Sequence, residues 1–472
     1  MSAVLPLTCA PQRVLEGFGG AVRAACRSLA PRDATELAAL FARASAEGMR
    51  VTFRGAGRSY GDAALAGQGL VLDLTGQSRI LAWDPSTGVV EVEPGVTIEQ
   101  LWKLGLPDGY WPAVVPGTMA PTVAGCAAMN VHGKNNFKVG TVGDRILDFD
   151  LLTADGRLLR CDREANAELF HAAIGGFGAL GAFTRLRLRL HKVESGLLRV
   201  EPLAARSLDH AFELFEERLP RADYLVGWID ALARGRSLGR GQIHQANYLP
   251  AAEDPEGPAR TLRVERQGLP GSVFGVPRSL LWRFVRLGLN DPGMRLVNAL
   301  KHRLAALSSG HSYLQSHVAF AFLLDYVPQW RRAYGPGGFI QYQPFVPKEA
   351  ARETFRALLE LCQREGLPPY LAVMKRHRPD PFLLTHAVDG HSLAMDFKVK
   401  DRARLWALCH RMSDRVLDAG GRFYFAKDAL LRPADVERAW GRERIDAFLG
   451  LKRRLDPQGI LQSDLARRLG LD

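Results

Sequence analysis

The feature that most constrains this chain is a glycine-rich segment that directly follows a predicted β-strand. Residues 49–55 read as a strand, and they run into the sequence RGAGRSYGD at 54–62. Closely spaced glycines let successive backbone N–H groups turn toward one side, which creates a nest for an anion. Arg58 and Ser59 add further donors. A glycine-rich hairpin turn is the competing interpretation, and this segment alone does not decide between the two.

A second constraint is the segment 111–145, which is rich in Gly, Pro, Thr and Asn and has few periodic apolar positions. We predict a loop here, and a loop of this length inside a compact domain is usually functional. Its small residues let a flat ligand approach the backbone. A lone histidine would favour a structural role, but the cluster His-Gly-Lys-Asn at 132–135 lies between two glycine turns and favours a site.

A third glycine cluster, at 176–181, fits the dinucleotide-binding pattern G-x-G-x-x-G literally. That pattern needs a strand before it and a helix after it, so that the pyrophosphate meets the helix N-terminus. Here a predicted helix precedes the glycines and a predicted strand follows them. We therefore reject a Rossmann nucleotide site at this position.

The predicted elements indicate an α+β protein. A helix over 35–48 ends at Gly48, a hairpin covers 79–95, and Thr97 caps a short helix. Strands and helices continue to the C-terminus without an internal repeat. We predict three parts, namely residues 1–193, residues 194–412 with an irregular stretch at about 250–312, and residues 413–472.

Composition excludes some sites and partners. The net charge of +12 suits nucleic acid, an anionic membrane or a phosphorylated substrate. Nucleic acid is disfavoured because no helix-turn-helix, zinc finger or aromatic RNA-binding strand is evident. The six cysteines are scattered without a C-x-x-C pair, so we expect neither disulfides nor a metal site. The chain has no spanning segment and a poor signal peptide, so we expect a cytoplasmic protein that could also associate with the inner membrane face.

Residues 278–308 combine apolar and basic side chains at helical spacing. This pattern fits an interfacial helix on an anionic membrane, and it fits equally a helix that packs its apolar face on the protein core. The Pro- and Gly-rich stretch 250–277 before it favours a mobile flap over a pocket mouth. The sequence leaves both interpretations open.

The order of several motifs along the chain resembles the FAD-binding domain of the vanillyl-alcohol-oxidase type of flavoproteins. Within that group the chain most closely resembles the decaprenylphosphoryl-β-D-ribose 2'-oxidases. The resemblance covers most of residues 20–470, apart from about 250–315. It rests on RGAGRSYGDAAL, VEPGVTIEQL, PGTMAPTVAG, HGKN, LLTADG, ELFHAAIGGFGALG, GFIQYQPFVP, VMKRH, MDFKVK, GRFYFAKD and LDPQGILQSDLARRL.

The resemblance implies a two-domain fold, with a substrate domain built on an antiparallel sheet, and a role for individual residues. For FAD binding it points to Arg54, Gly55, Gly57, Arg58, Ser59, Tyr60, Gly61, Asp62, Gly117, Thr118, Thr122, Gly125, His132, Gly133, Lys134, Asn135, Gly178, Ala182 and Tyr424. For substrate binding it points to Lys134, Trp228, Gln341, Gln343, Lys375, Ser392, Ala394 and Asp396. For catalysis it points to Lys427, with Tyr60 and His132 near the flavin.

Elementary chemistry supports some of these roles. Flavin-dependent alcohol oxidation needs an acceptor for the hydroxyl proton and a charge that stabilises the reduced flavin. If Lys427 is buried, it can act as a base when burial lowers its pKa, or it can stabilise negative charge when it stays protonated. The alternative is that Lys427 lies on the surface and has no role in the reaction. Gln341 and Gln343 share one strand face, where they could bind sugar hydroxyls or face solvent. Lys134 and Lys375 could bind a phosphodiester.

Two departures from the resemblance matter. Many relatives of the wider fold attach FAD covalently through a histidine of the first glycine loop, where this chain has Arg58. Arginine cannot form that bond, so we expect non-covalent FAD. Mycobacterial members have a cysteine where this chain has Ala394 and an asparagine where it has Ser392, so these two predicted substrate contacts differ from those of the mycobacterial members.

The resemblance implies FAD-dependent oxidation of the C2 hydroxyl of a polyprenyl-phosphoryl pentose to a ketone. This is chemistry of arabinose precursors for the cell envelope, and a partner reductase would complete an epimerisation. An oxidase or dehydrogenase of a soluble polyol or aldonolactone is the alternative. A basic nucleic-acid-binding protein is a weaker rival, which flavin absorbance of the purified protein would exclude.

Overall fold

The computed structural model describes residues 6–273 and 275–472, and it has the predicted α+β composition. The strands are β1 Gln12–Glu16, β2 Arg23–Leu29, β3 Val51–Arg54, β4 Leu70–Asp73, β5 Ile80–Asp84, β6 Val89–Val92, β7 Tyr110–Trp111, β8 Ile146–Leu152, β9 Leu158–Asp162, β10 Ala182–Arg189, β11 His191–Lys192, β12 Leu197–Ala205, β13 Tyr224–Ile229, β14 Gly241–Tyr248, β15 Ser272–Val273, β16 Val276–Pro277, β17 Tyr313–Ser316, β18 Phe339–Tyr342, β19 Pro344–Pro347, β20 Leu371–His377, β21 Gly390–Lys398 and β22 Arg422–Phe423.

The α-helices complete the element order. They are α1 Ala34–Ala46, α2 Ile98–Gly105, α3 Val123–Ala128, α4 Asn136–Val139, α5 Ala167–Ala173, α6 Leu208–Arg218, α7 Pro258–Thr261, α8 Arg278–Gly288, α9 Asp291–Ser308, α10 His317–Ala321, α11 Lys348–Arg364, α12 Arg402–Asp418, α13 Pro433–Trp440, α14 Arg442–Leu455 and α15 Asp464–Leu469. None of the helices in the described ranges has the length and hydrophobicity needed to cross a bilayer.

The first sheet has the order β1-β2-β4-β3, with parallel pairing of β2, β4 and β3. The end of the chain completes this sheet. The amide of Val51 donates to Ile460 O at 2.7 Å, and the amide of Gln462 donates to Val51 O at 2.9 Å. We did not predict β1 and β2, because their half-exposed residues show no clear apolar alternation.

The second sheet has the order β5-β6-β10-β8-β9, and the pairs that form it are antiparallel. The predicted hairpin of β5 and β6 is confirmed. Thr97 caps α2 as predicted, because its hydroxyl accepts the Gln100 amide while the Gln100 side chain accepts the Thr97 amide. The predicted helix that ends near Gly48 is confirmed as α1.

The third sheet is the predicted antiparallel sheet and follows the order β17-β12-β14-β13-β20-β21-β19-β22, with β18 paired to β21. Helices α6, α11 and α12 pack against it. The division of the chain at residues 193 and 412 stays a prediction, and β22 pairs with β19 across the second of these boundaries.

The prediction of a continuous loop over 111–145 is wrong, because the short helices α3 and α4 lie within it. Thr122 starts α3 by accepting the Gly125 amide at 3.3 Å. Neither helix shows an apolar period, since α3 is built mainly of Ala and Gly and α4 has one turn. The segment nevertheless stays compact against the second sheet, to which α3 packs through β10.

Residues 280–323 expose an unusual amount of apolar surface. Of the fifteen large apolar side chains that are exposed in the described residues, all but Val14, Leu81 and Leu158 lie in this stretch, which leaves twelve. We call these twelve the rim surface: Leu280, Phe284, Val285, Leu287, Leu296, Val297, Leu300, Leu304, Leu307, Tyr313, Leu314 and Leu323. Mobility of the stretch 250–312 stays a prediction.

Candidate active site

A cavity of about 560 Å³ runs from the glycine loop after β3 to the third sheet. Most of the predicted site residues line it, although they come from distant parts of the sequence. These are Arg54, Gly55, Gly57, Arg58, Ser59, Tyr60, Gly117, Thr118, Thr122, Gly125, His132, Lys134, Gly178, Ala182, Trp228, Gln341, Gln343, Lys375, Ala394, Tyr424 and Lys427. Six predicted residues do not line it: Gly61, Asp62, Gly133, Asn135, Ser392 and Asp396.

The glycine loop has the form of an anion nest. Within the described residues, the five successive amides of Gly55–Ser59 have no protein acceptor, and the loop lines the cavity. Gly57 has φ +63°, and a Cβ there would lie 2.4 Å from the guanidinium of Arg54. The guanidinium of Arg54 in turn donates to Glu16 O on β1 at 3.1 Å. This geometry favours the nest over the simple hairpin turn.

Gly61 and Asp62 fasten the loop to the C-terminal part of the chain instead of facing the cavity. A Cβ on Gly61 would lie only 1.8 Å from Asp428 O, so the close approach requires glycine. The guanidinium of Arg468 donates to Asp62 Oδ2 and to Asp428 Oδ2, each at 2.8 Å. The amide of Tyr60 also donates to Ala426 O at 2.7 Å. Because of this clamp, the loop and the Lys427 turn hold a fixed relative position.

His132 is a buried polar residue of the cavity wall. Its ring lies 5.2 Å from Tyr424 and 5.0 Å from His377 between centroids. The Gln343 amide contacts its Nε2 at 3.0 Å, whereas its Nδ1 is buried and has no protein partner. Burial and nearby cations hold the pKa of His132 well below its ordinary value, so the ring is neutral.

Lys427 is buried, and none of the groups around it forms a salt bridge with its ammonium within the described residues. Its Nζ lies 3.5 Å from the centroid of the Tyr60 ring. Burial lowers the pKa of Lys427, and the charge of Asp396 opposes this effect. Burial also raises the pKa of Tyr60 well above its ordinary value, so the phenol keeps its proton.

Asp396 and Ser392 lie one layer behind the cavity. They share a strand face with Ala394, which does line the cavity, but two glutamine side chains cover them. The Gln341 amide donates to Asp396 Oδ1, and the Gln343 amide donates to Ser392 Oγ at 3.3 Å. The spacing predicted that the two glutamines share a strand face and left its surroundings open, and the structure turns this face to the cavity. Ser392 and Asp396 lie behind the glutamines and accept their hydrogen bonds.

The third sheet forms the far end of the cavity. Leu371, Val373 and Lys375 alternate along β20 and line it together with Trp228 of β13. Lys134 reaches the same end, where its ammonium donates to Phe320 O and lies 4.4 Å from the Phe320 ring centroid. Burial lowers the pKa of Lys134 to about 7 and that of Lys375 to about 8.

Sequence reasoning missed two residues at this end. His244 of β14 and Lys301 of α9 line the cavity, and the Lys301 Nζ lies 4.3 Å from the centroid of the Trp228 ring. For His244 the sequence signal is its place in the predicted strand GRGQIHQANYLP, whereas its pairing with Val226, two positions before Trp228, is visible only in the structure. No sequence signal identifies Lys301 as a site residue, because it lies in the run Lys-His-Arg within a basic helix.

The cavity fits FAD. Its volume lies within the range of about 300–1,000 Å³ that is typical of ligand sites. The unpaired amides of Gly55–Ser59 suit a diphosphate, and the orphaned Nδ1 of His132 beside Tyr424 suits the polar edge of a flat ring. When bound, FAD supplies the hydride acceptor. Within the described residues no cluster of His, Cys, Asp or Glu could hold a metal ion.

Comparisons with known proteins agree with this geometry. A model of an FAD binding domain matches residues 27–162, which contain the glycine loop and the segment with His132. The chain is 32% identical to decaprenylphosphoryl-β-D-ribose oxidase of Mycolicibacterium smegmatis over 467 residues, which is 97% of each chain.

Two further relatives extend the comparison. The chain is 30% identical over 378 residues to an uncharacterized protein in the mprA 5' region of Streptomyces coelicolor, covering 80% of this chain and 100% of the relative. It is 24% identical to L-gulono-1,4-lactone dehydrogenase of Mycobacterium tuberculosis over 468 residues, covering 93% and 94%. On the strength of the first relative, the chain belongs to the decaprenylphosphoryl-β-D-ribose oxidase family of FAD-dependent oxidoreductases.

Proposed function

We propose that this enzyme oxidises the C2 hydroxyl of a polyprenyl-phosphoryl pentose to a ketone and takes its substrate from a membrane surface. The observation that carries the proposal is the single cavity that joins the glycine nest to a far end rich in cations and amides. Cations suit the phosphate of the substrate, and the amides of Gln341 and Gln343 suit sugar hydroxyls.

Lys427 is the proposed base. Its Nζ is buried and without an ion-pair contact, so the neutral amine is accessible near neutral pH. The amine accepts the proton of the substrate hydroxyl while the hydride at the same carbon leaves for bound FAD. Tyr60 packs on the ammonium position, and Asp396, held by Gln341, lies close enough to stabilise the protonated lysine electrostatically.

The proposed membrane contact is the rim surface. Residues 278–323 carry six Lys and Arg residues and a single acidic residue, Asp291, so their charge complements an anionic bilayer. Lys301 and Leu323 belong to the same stretch and line the cavity, which places the apolar surface beside the pocket. An amphipathic surface of this kind holds a protein at the interface without spanning the bilayer.

The downstream step is part of the proposal. A separate reductase that returns hydride to the opposite face of the C2 ketone would complete an epimerisation of the pentose. The product of such a pair is an arabinose precursor of the cell envelope. The membrane contact is consistent with a cytoplasmic protein at the inner membrane face.

A soluble polyol or aldonolactone is the alternative substrate, and the lactone dehydrogenase relative favours it at 24% identity. Anaerobic reduction of the bound flavin separates the two. We expect the highest kcat/KM with a short-chain polyprenyl-phosphoryl ribose, and a far lower value with ribitol or gulonolactone. Preference for a free polyol or lactone would overturn the proposal.

The membrane contact needs its own experiment. Replacing Leu300, Leu304 and Leu307 by Gln should weaken co-sedimentation with phosphatidylglycerol vesicles at least about tenfold while FAD stays bound. The matched control replaces the three exposed apolar residues that lie elsewhere, Val14, Leu81 and Leu158, by Gln. Equal vesicle binding by the two triple variants would contradict a role of the rim surface.

Charge reversal tests the electrostatic part. Arg283 and Arg286 are exposed, whereas Arg278 donates to the carbonyl oxygens of Asp325 and Tyr326 and is left unchanged. Reversing the two exposed arginines to Glu should weaken vesicle binding about tenfold or more, because each contributes about 1 kcal/mol near an anionic surface. Binding that stays the same on anionic vesicles would exclude the charge contribution.

A further inference from the structure

The far end of the cavity contains Lys301 and Lys134, which lack an acidic partner, beside the neutral imidazole of His244. Lys301 and Lys134 form no ion pair within the described residues, and His244 forms none either. Lys301 and Lys134 both lie close enough to His244 to depress its pKa electrostatically, after the larger effect of burial. The two lysines leave a positive site at this cavity end that the protein itself does not neutralise, and the neutral His244 ring adds an N–H donor.

Two strands and a helix fix this arrangement. Val226 and Trp228 on β13 pair with His244 and Gln242 on β14, so the indole and the imidazole share the cavity face of the sheet. The Lys301 ammonium lies over the indole at 4.3 Å. Its position is held by cation–π attraction instead of a carboxylate, so its N–H donors stay available to a ligand.

Helix α9 exposes its apolar residues and turns polar residues toward the protein, which explains why Lys301 lines the cavity. Its apolar residues Leu296, Leu300 and Leu304 are exposed, whereas Lys301 and the amide of Asn298 face the protein. The Asn298 amide donates to Asp230 Oδ1 at 2.7 Å and anchors the inner face. The helix therefore presents an apolar surface outside and a cation inside.

We propose that Lys301, Lys134 and His244 form an anion subsite that binds the phosphate of the prenyl-phosphoryl substrate, with the prenyl chain leaving along the apolar face of α9. This inference rests on the proposed function. The phosphate then binds at the far end of the cavity, about one helix width from the rim surface, whereas Lys427 contacts the sugar.

The first test compares substrates with and without phosphate. In Lys301→Met holoenzyme, KM for a short-chain prenyl-phosphoryl ribose should rise about tenfold or more, with little change in the maximal rate of flavin reduction. Methyl riboside, which lacks the phosphate, should be oxidised with wild-type efficiency. Lys301→Arg should restore most of the lost affinity. Equal loss with both substrates would show a merely structural role and overturn the subsite.

The matched control is Lys103→Met. Lys103 also lies on a helix above an indole, 5.7 Å from the Trp102 ring centroid, but it does not line the cavity. We expect wild-type KM for both substrates in this variant. A rise in KM equal to that of Lys301→Met would mean that loss of any lysine–tryptophan contact perturbs the enzyme.

A binding measurement keeps the subsite testable if the proposed function fails. Farnesyl phosphate is titrated into the oxidised holoenzymes by calorimetry, without turnover. Wild-type and Lys103→Met enzymes should bind alike, and Lys301→Met about tenfold more weakly. If prenyl-phosphoryl ribose is not oxidised but this difference appears, the function is wrong and the subsite stands; equal binding by all three enzymes overturns the subsite.

Discussion

Helices α11 and α9 have nearly the same length, 17 and 18 residues, and both combine apolar and charged residues at helical spacing. Helix α11 buries its apolar face, including Phe355, Leu358 and Leu359, against the third sheet. Helix α9 buries only Asn298 and Ala305 and exposes its leucines.

The difference shows that a periodic pattern predicts a helix but not the direction of its apolar face. The sheet face below α11 offers apolar partners such as Leu393 and Met395 of β21, so burial of leucines stabilises the fold there. The surface below α9 consists of β12, β14 and the end of the cavity, where Lys301 lines the cavity, Asn298 donates to Asp230 and the leucines face outward.

The largest expected effect compares the same substitution in the two helices. Leu358→Ala in α11 should lower the free energy of unfolding by about 2–5 kcal/mol, because it leaves a cavity in a packed core. Leu304→Ala in α9 should change it by less than about 0.5 kcal/mol, because 65% of that side chain is already exposed. Chemical denaturation of the two variant holoenzymes measures both free energies of unfolding. Similar decreases in the two variants would contradict the proposed difference between the helices.

Two buried lysines extend the comparison to charged groups. Lys427→Met should retain FAD but slow anaerobic flavin reduction by about 10²-fold or more, because the proposed proton acceptor is lost. Lys452→Met is the control, since Lys452 is buried with Asp456 at 2.9 Å and donates to Leu461 O at 2.8 Å.

The control should behave in the opposite way. Removing the Lys452 ammonium leaves Asp456 buried without its partner, which costs about 3–5 kcal/mol of unfolding free energy. The folded fraction should still reduce its flavin at a near-normal rate. Near-normal turnover in Lys427→Met with bound flavin would assign Lys427 a structural position like that of Lys452.

The pH dependence of the reaction distinguishes base from cation at Lys427. Burial lowers the pKa of this amine, so its neutral form increases as pH rises through a value below 10.5. The rate of flavin reduction at saturating substrate should therefore increase with pH, and Lys427→Met should lack this increase. The substrate must be saturating because Lys134, Lys301 and Lys375 also lose their charge as the pH rises. This loss of charge should raise the KM for the phosphorylated substrate. A rate that falls with rising pH would show that the ammonium is the working form.

A smaller effect concerns the cofactor bond. Arg58 cannot attach FAD, and burial raises the pKa of Cys126, which also lines the cavity, to about 12, so its thiol is unreactive. Acid precipitation should leave yellow colour in the supernatant for wild-type and Cys126→Ser enzymes alike. Colour that stays in the wild-type pellet would contradict non-covalent binding.

For the last prediction we expect no covalent modification of the wild-type enzyme. Ala394 lines the cavity and offers no thiol to an inhibitor that acts by bonding to a cysteine at this position, where the resemblance implies a cysteine in mycobacterial members. Mass spectrometry of the treated wild-type enzyme should show no adduct on residues 391–397, whereas Ala394→Cys should form one. An adduct on the wild-type segment would disprove this.

Sequence predicted the elements that have strong local signals. The α1 helix, the hairpin of β5 and β6 and the Thr97 cap each follow from a few neighbouring residues, and all are confirmed. Strands β1 and β2 and the short helices α3 and α4 carry weak local signals and depend on tertiary contacts, so pattern reasoning missed them.

The site shows the same division. The resemblance located the residues of the glycine loop and of the third sheet because motifs surround them, and the structure brings most of them to one cavity. It could not separate Ala394, which lines the cavity, from Ser392 and Asp396, because all three share a strand face and only the overlying glutamines distinguish them. Lys301 was unpredictable because the inward face of α9 depends on the cavity below it.

The clamp made by Arg468 has a consequence for how the enzyme is made. This residue lies in α15, far from the glycine loop in sequence, yet it ties Asp62 of the loop to Asp428 beside Lys427. Ile460 and Gln462 likewise complete the first sheet around Val51. A ribosome delivers Arg468 long after the glycine loop, because 406 positions separate it from Asp62. The nascent chain therefore cannot close its cofactor cradle before α15 has been synthesised, and FAD that binds earlier lacks the clamp between the loop and the Lys427 turn.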